Sequence, residues 1–105
     1  DRSPGKMLFV ENENEFQNEV IIKGYNKPIS KEWEANYCNE NHMHDTDLFL
    51  FVQKGKMVIS VEHEKGENTM TIVSNESIEV LAGTRHYESV GPEGVVFLVA
   101  CRDTN

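Results

Sequence analysis

The chain has 105 residues, with 10 Lys and Arg against 18 Asp and Glu, a formal net charge of −8, and 38% hydrophobic and 27% charged residues. That length encloses one hydrophobic core and not two, so a single globular domain over residues 1–105 is expected, small enough for pairing with a second copy to add stability. The acidic balance argues against nucleic-acid backbones and anionic membrane surfaces as partners, and no apolar run approaches the length of a bilayer span.

From the first residue onward the chain reads as strands and turns. Residues 1–6 precede the first apolar run and read as a trimmed or extraneous stretch, or as one without fixed structure. Residues 7–10 form a short apolar run, 11–18 are polar and suit a loop or one helical turn, and 19–23 are β-branched and predict a strand. Residues 24–31 carry Asn26, Pro28 and Ser30, which is turn chemistry, and 33–38 predict the next strand. Residues 48–53 are almost wholly apolar, as in a strand buried on both faces. A tight turn at Lys54-Gly55-Lys56 then leads into 57–62, where Met57, Ile59 and Val61 alternate with Val58, Ser60 and Glu62. Lys65-Gly66-Glu67 is a second hairpin signal, followed by strands at 69–73 and 77–81. Gly91-Pro92-Glu93-Gly94 predicts a turn before a last strand at 95–100. No segment carries the spacing of an amphipathic helix longer than about two turns. Turn signals recurring about every eight to twelve residues imply an all-β sandwich or barrel. Cys38 and Cys101 do not make a disulfide framework, and the cytoplasm is the default compartment.

Four histidines stand out: His42, His44, His63 and His86. His42 and His44 are two apart and on a strand share a face, so both imidazoles can grip one metal ion from a single stretch. A third ligand must come from elsewhere, and His86 is the candidate because it follows Ala82-Gly83-Thr84-Arg85, a turn entering a strand. Three neutral imidazoles suit Fe, Mn, Ni, Zn or Cu and leave positions open for water or substrate. A chance H-x-H pair is the alternative. His63 lies in the charged run Glu62-His63-Glu64-Lys65 and reads as solvated surface.

These residues resemble the two motifs of the cupin superfamily. The first motif, a Gly, H-x-H, a Glu and a Gly, falls on Asn36, His42-Met43-His44, Leu48 and Gly55. The second, a Gly, Pro-x-Gly, His and Asn, falls on Asn75, Leu81-Ala82-Gly83, His86 and Val90, again without a gap. The resemblance runs from Trp33 to Arg102. His42-Met43-His44-Asp45-Thr46-Asp47 and Gly91-Pro92-Glu93-Gly94-Val95 also look like small single-domain cupins with no settled activity. It implies an all-β jelly-roll, or double-stranded β-helix, barrel holding one divalent transition metal on His42, His44 and His86. The family's glutamate ligand falls on Leu48, which cannot bind metal, and Asp47 is one residue earlier. On a regular strand Asp47 faces away, a bulge would turn it inward as a fourth ligand, and an Asx-type turn is the alternative.

Around these histidines the pocket candidates are Cys38, Tyr37, Leu48, Phe51, Arg85 and Glu88. Cys38 is either a soft ligand or a buried inert thiol. Tyr37, with Trp33, is an aromatic wall or core. Arg85 is a clamp for a substrate carboxylate or an exposed rim residue. Glu88 shares the parity of His86 and is a metal-side partner or base, or else faces solvent. Leu48, Phe49, Leu50 and Phe51 would make the lining apolar. The expected partner is a small organic acid or related metabolite, and a homodimer through edge strands is expected. The resemblance implies a metal-dependent dioxygenase, isomerase, lyase or decarboxylase. A ligand-binding sensor without turnover and a barrel with vestigial histidines are the alternatives, and fold alone does not choose among them.

Overall fold

A computed structural model describes the backbone of residues 5–9 and the whole of residues 12–104. Residues 1–4, within the stretch read as trimmed, extraneous or without fixed structure, lie outside the described residues, as do Val10, in the first apolar run, and Glu11, at the start of the polar stretch. The elements in chain order are β1 (Gly5–Phe9), α1 (Glu13–Ile22), β2 (Ile29–Trp33), β3 (Asp47–His63), β4 (Gly66–Val73), β5 (Glu76–Val80) and β6 (His86–Arg102). The strands run in the order β1-β5-β3-β6-β2, with β4 hydrogen-bonded to β3, and all pairings are antiparallel.

Strands β3 and β6, each 17 residues long, are the frame. They pair from Asp47 opposite Arg102 to Val61 opposite His86. Midway the register shifts, first between Val52 and Lys54 and then between Gly55 and Met57. Gly55 faces Val95 and Met57 faces Val90, so residues 91–94 of β6 bulge opposite Lys56. Four residues opposite one leave β6 three extra, an odd number, so the bulge reverses which parity points inward. Leu48, Leu50 and Val52 before it and Met57, Ile59 and Val61 after it all enter one interior cluster with Ile72, Ile78, Val80, Val90, Val95 and Phe97. The turn signals at 54–56 and 91–94, expected to separate pairs of strands, therefore mark where two continuous strands bend. Gly55 sits there with φ +79°, and a Cβ on it would run into the carbonyl of Gly94.

The first third of the chain departs from expectation. Residues 13–22 form a helix, where a loop or one helical turn and then a β-branched strand were predicted. Asn12 caps it by accepting a hydrogen bond from the Glu15 N–H at 2.9 Å, and Glu13 and Glu15 lie in the first turn, where carboxylates complement the helix dipole. Gly24, at φ +78°, ends it: its N–H donates to the Ile21 carbonyl, and that of Tyr25 donates to the Val20 carbonyl. These are the paired bonds of a Schellman cap. Phe16 and Val20, one turn apart, bury themselves against Phe49, Phe51, Leu98 and Ala100 on the outer face of the sheet. The Phe16 ring lies 4.7 Å from Phe49 and 5.1 Å from Phe51. Ile21 and Ile22, which suggested a strand, are 75% and 74% exposed.

The strand predicted at 33–38 is also displaced. Strand β2 ends at Trp33, Asn36 adopts φ +63° in a turn, and Cys38 makes only an isolated bridge to Ser89. Pro28 and Ser30, read as turn residues, precede and join an edge strand, where a proline's missing N–H costs nothing.

Two outcomes follow for stability. Phe16→Ala should destabilise the fold by about 3–5 kcal/mol in urea unfolding, whereas Ile22→Ala should shift it by less than about 0.5 kcal/mol. Gly55→Ala should be costlier than Gly24→Ala, because both have a positive φ but Gly55 also has a backbone carbonyl in the path of the new methyl group, where Gly24 has open space.

Candidate metal centre

Residues 36–42 run alongside the first half of β6 in an irregular ladder. The Asn36 N–H donates to the Gly91 carbonyl at 3.1 Å, that of Val90 to Tyr37 at 2.8 Å, and that of Asn39 to Glu88 at 3.1 Å. The ladder ends in a reciprocal pair: the His42 N–H donates to the His86 carbonyl at 2.9 Å and the His86 N–H to the His42 carbonyl at 2.8 Å. Just beyond it, the Gly83 N–H donates to the His44 carbonyl at 2.9 Å. Backbone bonds thus seat all three histidine positions before any side chain is considered.

The three rings converge. Ring centroids are 4.5 Å apart for His42 and His86, 4.9 Å for His42 and His44, and 5.5 Å for His44 and His86. One nitrogen from each ring lies within 4.8 Å of the others. His86 is 1% exposed, the His42 side chain 31%, and His44 is exposed, so the cluster opens toward solvent on the His44 side. His86 Nδ1 is 2.9 Å from the Thr84 carbonyl and His42 Nδ1 is 2.6 Å from the Glu40 carbonyl. A carbonyl only accepts, so both Nδ1 atoms carry a proton and donate it, which leaves Nε2 as the atom each ring can offer a metal ion. Nε2 of His86 is buried and has no hydrogen-bond partner. An orphaned buried nitrogen is costly unless something cationic or donating meets it, and this donor set is that of a metal-ligating histidine held by a backbone carbonyl.

Glu88 lies beside the rings, 3% exposed rather than facing solvent. Its Oε2 is 3.4 Å from His86 Nε2 and its Oε1 is 3.8 Å from His42 Nε2. Burial pushes its carboxyl up, but the His86 imidazole beside it and the bond from Asn39 outweigh that and hold it below the usual value. Burial pushes His86 down, and Glu88 and the Thr84 carbonyl outweigh it in turn, leaving the ring above the ordinary imidazole value. Burial and the neighbouring His42 and His86 lower His44.

Among the other residues singled out from sequence, Asp47 is buried but stands apart from the cluster. Its carboxylate receives Arg102 at 2.7 and 3.0 Å and the Ala82 N–H at 2.8 Å, so it braces the meeting of β3, β6 and the loop before β6. Arg102 also lies 4.3 Å over the Tyr25 ring, whose hydroxyl donates to Glu79 at 2.8 Å. Burial, then Glu79, raise that hydroxyl well above the usual phenol value. Leu48 points into the apolar interior, whereas Phe51, with Phe49, points the other way and packs under α1, so only half of the run 48–51 lines the barrel. Cys38 is exposed, not buried, because it lies outside regular strand. The Tyr37 ring rests on Trp33 at 4.9 Å, and Trp33 on Phe97 at 4.9 Å. The Arg85 side chain is 52% exposed and lies 3.6 Å from Glu62. His63 is half-buried and accepts the Lys65 N–H at Nδ1. Two clefts, of about 350 and 380 Å³, are lined by residues of the Gly55–Gly94 bend and β2, none of them histidine.

Sequence reasoning missed Asn39. Its side-chain carbonyl accepts the Glu88 N–H at 2.7 Å and its amide donates to Glu88 Oε1 at 2.6 Å, gripping residue 88 twice. No spacing signal marks it, because the segment that carries it is not a strand.

Fold and solved structures agree: this is the all-β jelly-roll barrel of the cupin fold. A variant of the oxalate decarboxylase from Bacillus subtilis is similar with a TM-score of 0.66 and 18% identity over 72% of this chain. The chain spans 20% of that protein's length. The WlaRB TDP-quinovose 3,4-ketoisomerase from Campylobacter jejuni is similar with a TM-score of 0.64 and 13% identity, over 75% of this chain and 63% of that one. The Drosophila melanogaster CENP-C cumin domain is similar with a TM-score of 0.65 and 17% identity, over 70% of this chain and 56% of that one. No protein-family model matches the sequence, and no curated protein matches it. No helix among the described residues is long and apolar enough to cross a membrane.

Replacing Arg102 by Ala should remove two charge-assisted bonds from the buried Asp47 and lower stability by about 1–3 kcal/mol in urea unfolding, without changing the histidine cluster.

Proposed function

We propose that this chain is a small metal-binding cupin that holds one divalent transition ion on His42, His44 and His86 and binds a small organic acid or related metabolite at the open side of that ion. The observation that carries this is the convergence of three imidazoles, with both inner rings hydrogen-bonded at Nδ1 to backbone carbonyls and the buried Nε2 of His86 left without a partner. The exposure gradient from His86 to His44 supports a ligand arriving from solvent on the His44 side. Three protein imidazoles leave coordination positions for a substrate oxygen, which such an ion polarises as a Lewis acid. The similar structures include an oxalate decarboxylase and a sugar-nucleotide ketoisomerase, whose names give them small molecules with carboxylate or keto oxygens.

In this reading the chain's own residues divide the work. Thr84 and Glu40 hold the ring tautomers through their carbonyls, and the apolar interior formed by Leu48, Ile59 and Val61 keeps water from the buried side of the cluster. Arg85, half-exposed just before β6 and 3.6 Å from Glu62, is the candidate clamp for an incoming carboxylate in this reading. The exposed outer edge of β2, a sheet terminus, is where a second copy would add its own edge strand.

Elemental analysis of the purified, untagged protein should give one divalent transition ion per chain, and His42→Ala and His86→Ala should each abolish it. Equal trace metal in all three proteins would overturn the reading. Chelation of the ion should lower the thermal midpoint, since an ion bound only to the folded state stabilises that state. Light scattering should give a mass of twice the 12.0 kDa chain.

A further inference from the structure

Three carboxylates are buried among the described residues: Asp47, Glu79 and Glu88. Two of them have ordinary partners. Asp47 is paired with Arg102 at 2.7 Å, and Glu79 receives the Tyr25 hydroxyl at 2.8 Å with Lys23 Nζ at 3.6 Å. Glu88 has no lysine or arginine within ion-pair distance among the described residues, only the imidazoles of His86 and His42 and the amide of Asn39. A buried carboxylate without a permanent cation is strongly disfavoured, so its place beside an open set of imidazole lone pairs calls for a positive charge shared with them.

We infer that Glu88 is the fourth protein ligand of the ion, so that the carboxylate which Leu48 cannot supply from β3 comes instead from β6, two residues beyond His86. This rests on the three-histidine metal centre proposed above. Residues two apart on a strand share a face, and the register agrees: His86 lies opposite Val61 and Glu88 opposite Ile59, both members of the interior cluster. Ligand atoms held about 2.0–2.2 Å from one ion lie roughly 3.0–3.6 Å from each other. The 3.4 Å from Oε2 to His86 Nε2 falls within that spacing, and the other oxygen, Oε1, lies 3.8 Å from His42 Nε2, so the carboxylate already stands at the cluster. Asn39 fixes the direction. By holding the backbone N–H of Glu88 and its Oε1, it leaves Oε2 as the oxygen facing His86. Asp47 is excluded from this role because Arg102 and the Ala82 N–H engage both its oxygens. The site so built has one negative charge against the ion's two and is sided, with Glu88 and His86 buried and His44 at the mouth.

The test is a metal titration of the full chain with Zn²⁺ and Co²⁺ against a chromophoric chelator, using wild type, Glu88→Gln, Asp47→Asn and His86→Ala. Glu88→Gln should bind about 10–100-fold more weakly, and the visible absorption of its Co²⁺ form should change in intensity, while Asp47→Asn keeps wild-type affinity and spectrum. Should Glu88→Gln bind within about twofold of wild type while His86→Ala loses binding, the assignment of Glu88 falls and the three-histidine centre stands. Wild type that binds neither ion sinks both. Because Glu88→Gln risks misfolding, a crystal structure of the Zn²⁺-loaded wild type decides independently. A Glu88 oxygen within about 2.3 Å of the ion supports the assignment, and an ion held by three histidines with Glu88 turned to Asn39 alone overturns it.

Discussion

The candidate centre depends on one pair of backbone hydrogen bonds, those exchanged between His42 and His86 at 2.9 and 2.8 Å. The segment between β2 and β3 is otherwise irregular, with a left-handed Asn36 and a single-residue bridge at Cys38. Nothing in its own conformation would bring two histidines to the barrel. The reciprocal pair fixes the segment to the start of β6, and β6 is in turn fixed by β3 over almost its whole length. Side-chain geometry at the cluster is therefore inherited from main-chain bonds, which no substitution of a neighbouring side chain removes directly.

The long strands give the molecule two apolar faces with different duties. Leu48, Leu50 and Val52 fill the barrel and continue, past the bulge, as Met57, Ile59 and Val61 under His86 and Glu88. Phe49 and Phe51 turn outward and are covered by Phe16 and Val20 of the helix, with Tyr25 closing the end. The Asp47–Arg102 pair and the Tyr25–Glu79 bond lie along this second face. One face adjoins the histidine cluster; the other anchors the helix to β3 and β6. A residue's parity on β3 decides which it serves.

Much of the barrel was legible in the sequence because period-two patterning is local. The alternation at 57–62, the apolar run at 48–53 and the entry of His86 into a strand all survive in the structure. The H-x-H pair and His86 could be named because spacing and motif register need no knowledge of loops. The helix was not recognised because Val20, Ile21 and Ile22 are β-branched, while its true markers were the Asn12 to Glu15 cap and Gly24. Glu88 was seen as sharing the parity of His86, but its burial depends on Asn39, which arrives from an irregular segment and leaves no periodic trace. Likewise the glycines at 55 and 94 announced a change of direction, and only the pairing shows that it is a bend within strands rather than a reversal between them.

The partners of the centre are far apart along the chain: His42 and His86 bond across 44 residues (86 − 42), and Asp47 meets Arg102 across 55. Architectures built from such distant pairings assemble slowly, on the scale of milliseconds to seconds, because a large loop must close before any contact forms. The three rings can meet only once β6 lies beside the segment that carries His42 and His44. A cation held by these rings would therefore not template the barrel as it does a zinc finger; it would meet a chain already folded, entering from the exposed His44 side.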